Sequence, residues 1–100
     1  MTENEIAELF RRDGKEFRSI RLSTDSDGAI RLECQDTGPI VRESWGEDEY
    51  EFWVTVPNRA LAKLAFALLR EKYMGQDGSV DELRLFCEKE RIEHEFRNWV

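Results

Sequence analysis

From Tyr50 to Val56 the side chains alternate without interruption, with Tyr50, Phe52, Val54 and Val56 on one parity and Glu51, Trp53 and Thr55 on the other. Successive side chains of a strand point to opposite sides, so the first set calls for a core and the second for water or a partner. Two earlier stretches share the pattern. Ile20 and Leu22 alternate with Phe17, Ser19 and Arg21, and Ile30, Leu32 and Cys34 alternate with Arg31, Glu33 and Gln35. Between them Ser23-Thr24-Asp25-Ser26-Asp27-Gly28 reads as a polar turn, Gly28 supplying the positive φ that closes a hairpin.

Two structures suit the segment before these strands. Thr2 with Glu5 forms a capping box that would open a short helix over Ile6, Leu9 and Phe10. Alternatively, Asp13-Gly14 is a strong two-residue hairpin signal that would join a strand Ile6–Arg12 to Lys15–Leu22. The plainly extended pattern after Gly14 favours the hairpin.

Residues 36–48 read as the longest connection, holding Gly38-Pro39 and Gly46. After Pro57, Asn58 as N-cap opens a helix that the pattern carries to about Met74, with Gly75 just past its end. Leu61, Ala62, Leu64, Ala65, Phe66, Leu68, Leu69 and Tyr73 cover a wide arc of it, the pattern of a largely buried helix lying across a sheet. Ser79 with Glu82 makes a capping box for a second helix to about Arg91, with Val80, Leu83, Phe86 and Cys87 inward. Ile92, His94 and Phe96 then alternate with Glu93, Glu95, Arg97 and Trp99, which predicts a closing strand over 92–100. The expected fold is α+β: an antiparallel sheet of about four to five strands with two helices packed on one face, in the order ββββααβ with the first element helical as the alternative. At 100 residues, 40% of them hydrophobic, the chain suits one domain spanning residues 1–100.

Chemistry leaves little trace. His94, the sole histidine, is the only conventional base for a Cys or Ser nucleophile, and Cys87 stands on an apolar stripe with nothing nearby to activate its thiol. Two lone cysteines and one histidine lack the paired spacing of a zinc site. Asp25-Ser26-Asp27-Gly28 places its glycine too early for an EF-hand and lacks the bidentate Glu. Cys34 and Cys87 read as reduced structural thiols. We therefore expect no enzyme, no cofactor and no metal. The net charge of -7 disfavours nucleic acid and anionic membranes and favours a basic protein partner. No apolar run reaches the ~20 residues of a membrane span, and the acidic Met1–Glu5 segment is unlike a signal peptide, so the expected compartment is the cytoplasm.

The surface carries the functional argument. Glu33, Asp36, Glu43, Glu47, Asp48, Glu49 and Glu51 face a single basic residue, Arg42, between positions 33 and 51. Trp53 and Trp99 should emerge opposite the core among charges, a composition typical of a binding hot spot. The competing arrangement folds Trp45 and the 36–48 loop over Trp53 as a second small core. The expected partner-binding set is Trp45, Glu47, Asp48, Glu49, Glu51, Trp53 and Trp99.

Leu32-Glu33, Asp36-Thr37-Gly38-Pro39, Trp45-Gly46, Glu49–Val56, the Leu-rich helix and the final Ile92, Phe96 and Trp99 resemble small uncharacterised bacterial single-domain proteins. Some acidic proteins of that kind are similar to immunity proteins encoded beside secreted toxins, which implies an immunity-type inhibitor. Two other classes remain: a small-molecule-binding or minor catalytic domain with a pocket between the 36–48 loop and the open sheet face, and a self-associating structural domain, a homodimer.

Overall fold

A computed structural model describes residues 4–46 and 48–99. It is α+β: four antiparallel strands in one open sheet, in the order of the chain, with three helices. The strands are β1 (Ile6–Arg12), β2 (Phe17–Thr24), β3 (Ile30–Thr37) and β4 (Glu49–Val56), and α1 (Pro39–Trp45) lies between β3 and β4. A 3-10 turn, Asn58–Ala60, leads into α2 (Leu61–Tyr73), and α3 (Ser79–Glu90) follows. The chain divides into two units, Met1–Leu64 and Ala65–Val100.

In the first unit the alternation dictates the faces. Ile20 pairs with Cys34 and Cys34 with Phe52; Leu22 pairs with Leu32 and Leu32 with Val54. One parity shift away, Ser19, Gln35 and Glu51 align, as do Arg21, Glu33 and Trp53. Residues 6–12 form the hairpin strand, not a helix, and Thr2 of the capping box lies outside the described residues. The β1–β2 register shifts between Glu8 and Phe10, and the Leu9 bulge returns Phe10 to the apolar face opposite Ile20. Gly28 takes φ 80 in the next turn, where the Asp25 carboxylate accepts the N–H groups of Asp27 and Ala29 at 2.9 and 3.0 Å. That carboxylate closes a turn, as its short reach favours.

Four expectations are corrected. The 36–48 connection contains α1, which Gly38 opens, Pro39 occupies at its start and Gly46 ends in the left-handed conformation. Pro at the first position and Gly just past the end are ordinary helix punctuation, here framing a segment too short to show periodicity. Neither longer helix uses its expected side-chain cap: Asn58 donates to the Asp27 carbonyl at 3.3 Å, and Gly78 occupies the N-cap before Ser79. Residues 92–99 form no strand, so the sheet has four strands, not five. Alternation supplies a face but not a neighbour, and a strand without a ladder partner leaves its amides to water.

Burial is also lower than the sequence pattern predicts. No residue of α2 is buried, and on the apolar face of the sheet Leu32 is 43% and Val54 66% exposed. Among the described residues the buried apolar ones are Ala29, Cys34 and Val41 in the first unit and Cys87 in the second. Leu, Ala, Lys and Arg, which make up most of α2, have high intrinsic helix propensity, so the local sequence favours the helix although its apolar arc is not buried.

α3 ends in a Schellman motif: Arg91 sits at φ 57, its N–H reaches the Glu88 carbonyl at 3.3 Å, and the Ile92 N–H reaches that of Cys87 at 2.8 Å. A β-carbon in this conformation is strained, so Arg91→Gly should raise stability by about 1 kcal/mol. Urea unfolding followed by far-UV circular dichroism should show a higher midpoint for that variant.

Candidate functional site

The polar face of the sheet is organised around Glu33. Its two carboxylate oxygens take Arg21 Nη2 and Arg31 Nη2, each at 3.0 Å, and the Arg31 guanidinium lies over the Trp53 ring 4.3 Å from its centroid. These residues meet because strand pairing stacks Arg21, Glu33 and Trp53 across three strands and places Arg31 one step along the same face. The indole therefore rests against a held cation while remaining 52% exposed. Glu49 and Glu51 share its face of β4, and neither carboxylate meets a cation among the described residues.

The other expected site residues are dispersed. Asp48, at the entrance to β4, approaches Arg42 at 3.7 Å, but both side chains are about three-quarters exposed and the pair is weak. Trp45 stacks on Tyr50, ring centroids 4.7 Å apart and planes 10° apart, and Tyr50 in turn meets Phe52 at 5.3 Å. Tyr50 and Trp53 differ in parity, so Trp45 serves the apolar face and Trp53 the polar one. The arrangement with Trp45 folded over Trp53 is thereby excluded. Trp99, in the second unit, is 97% exposed, and Glu47 lies outside the described residues. The structure thus gathers Glu49, Glu51 and Trp53, with Asp48 at the strand's start. Sequence reasoning missed Tyr50 as a platform for Trp45, because the direction of Trp45 depends on α1.

The remaining polar clusters are structural in form. On the apolar face Arg18 clamps Asp36 with two bonds of 2.7 Å, and the Cys34 thiol donates to Asp36 Oδ1 at 3.6 Å. Hydrogen bonding from Arg18 holds the Asp36 carboxyl below its ordinary range. Burial, followed by the Asp36 charge, pushes the Cys34 thiol up, the opposite of what a nucleophile requires. In the second unit, Cys87 and His94 line one depression of about 180 Å³ with Val80, Leu83, Arg84, Glu95 and Phe96. The His94 Nδ1–H donates to the Ile92 carbonyl at 2.8 Å, and no hydrogen bond joins His94 to Cys87 among the described residues. A concavity of about 440 Å³ lies among Thr37, Gly38, Pro39, Arg42, Asp48 and Glu49. Among the described residues no cluster of His, Cys, Asp and Glu is placed to hold a metal, and no helix is long and apolar enough to cross a membrane.

The chain matches no protein-family model, no curated protein and no solved structure.

Proposed function

We propose that this chain is a non-enzymatic protein-binding module, an immunity-type inhibitor acting in the cytoplasm, that engages a basic protein through the polar face of β4. One observation carries the reading: a half-exposed Trp53, held by Arg31, shares one face of β4 with Glu51 and Glu49, whose carboxylates meet no cation among the described residues. The carboxylates would attract the partner from a distance, and the indole would provide the desolvated anchor. Arg31 restrains the ring before binding, which reduces the entropy lost when the complex forms.

A partner captured from the native host should associate with a rate that falls steeply as salt rises, and Glu49→Gln with Glu51→Gln should flatten that dependence. Trp53→Ala should speed dissociation by about thirtyfold, the equivalent of a hot-spot loss near 2 kcal/mol. Surface plasmon resonance reads both; an association rate indifferent to ionic strength would remove the electrostatic basis of the proposal. The small-molecule reading draws on the concavity of about 440 Å³ by Arg42 and Asp48. Its one ion pair, Arg42 with Asp48, is about three-quarters exposed, unlike the enclosed polar groups that orient most small ligands, so the protein-binding reading is preferred.

A further inference from the structure

The two edges of the sheet are unlike. β1 carries the Leu9 bulge and ends in Arg11 and Arg12, devices that discourage strand addition. β4 pairs with β3 in unbroken register, carries no proline or basic residue, and forms the opposite edge among the described residues. A long, regular edge of this kind is a template for another strand.

The geometry points to a second copy of this chain as the occupant, with β4 pairing antiparallel to its two-fold mate to make one continuous eight-stranded sheet. This inference rests on the strand edge and not on the basic-partner reading. A two-fold axis normal to the sheet keeps like faces together and allows only pairings between residues of the same parity. Centred on Trp53, the register sets Phe52 against Val54, Tyr50 against Val56, and Glu51 against Thr55 of the mate. Centred on Phe52, it sets Glu51 against Trp53 and Glu49 against Thr55. In both registers every strand carboxylate meets an uncharged side chain, whereas centring on Glu51 would oppose two carboxylates. Either favoured register places Phe52 and Val54, 42% and 66% exposed, beside apolar residues of the second copy. β4 can therefore meet its own two-fold mate in two registers that oppose no like charges and that set its exposed apolar side chains against one another, which is what fits it to a second copy of the chain.

Thr55 provides a test by sign, because it faces a glutamate of the mate in both registers. Sedimentation equilibrium from micromolar to millimolar concentration should show a dimer for the wild type. Thr55→Glu should weaken it about tenfold by opposing two carboxylate pairs, and Thr55→Lys should tighten it. Within its own sheet Thr55 lies opposite Arg31, so Thr55→Glu adds a favourable cross-strand charge and leaves the subunit folded. Gln76→Glu and Gln76→Lys, the same charge changes at an exposed turn outside the sheet, should move the equilibrium far less. A monomer throughout the range would overturn the proposal, as would a dimer that responds equally to substitutions at 55 and 76.

Discussion

Gly38→Ala should lower stability by about 3 kcal/mol, a large loss for one methyl group. Gly38 has φ 137 and ψ -178, a region essentially confined to glycine. A β-carbon there would also run into the Lys15 carbonyl oxygen and lie 2.9 Å from Glu16 Oε2. Backbone is the harder obstacle, because a carbonyl within a hairpin turn cannot swing aside as a side chain can. The same residue ties α1 to the entrance of β4: its N–H donates to the Asp48 carbonyl at 3.2 Å and its carbonyl accepts the Arg42 N–H at 3.1 Å, while Glu16 Oε1 accepts the neighbouring Ile40 N–H at 3.3 Å. Displacing it should shift α1 and the entrance to β4, and with them Trp45, Asp48 and Glu49. Gly46→Ala is the control, since Gly46 also has positive φ, 79, but open space around its β-position. That variant should lose only about 1 kcal/mol. Equal urea midpoints for the two variants would show that the Gly38 contact is not as tight as described.

Asp36→Asn should cost about 2 kcal/mol near neutral pH, because two short charge-assisted bonds from Arg18 lose their charged acceptor on a largely apolar face. Hydrogen bonding from Arg18 holds the folded-state carboxyl below its ordinary range. A carboxyl depressed by folding contributes stability above its unfolded pKa and loses it as pH falls through the folded value. The wild-type advantage over Asp36→Asn should therefore be constant from pH 7 to about 5, shrink below about 4 and vanish in stronger acid. An advantage that grew on acidification would contradict the ion pair.

Much of the sheet was legible because parity is a local property. Ile20, Leu22, Ile30, Leu32, Cys34, Phe52 and Val54 separate from Ser19, Arg21, Arg31, Glu33, Glu51 and Trp53 as their alternation requires. What depended on a neighbour was harder to read. Residues 92–99 alternate as cleanly as β2 yet form no strand, because alternation does not provide a ladder. The seven-residue α1 is too short for a helical period, although Gly38-Pro39 and Gly46 mark both its ends. The candidate site was legible to the same degree: Glu49, Glu51 and Trp53 share a face by parity, whereas α1 turns Trp45 onto Tyr50 on the other side.

Both the docking face and the pairing edge require β4 to be the outer strand of the sheet, bonded on one side only. Amide hydrogen exchange, measured residue by residue in the Thr55→Glu variant at low concentration, tests that arrangement. Alternate amides from Tyr50 to Val56 should be protected by β3 while those between them exchange quickly, and the wild type at high concentration should protect both sets. Uniform protection in the dilute variant, or uniform rapid exchange, would contradict it.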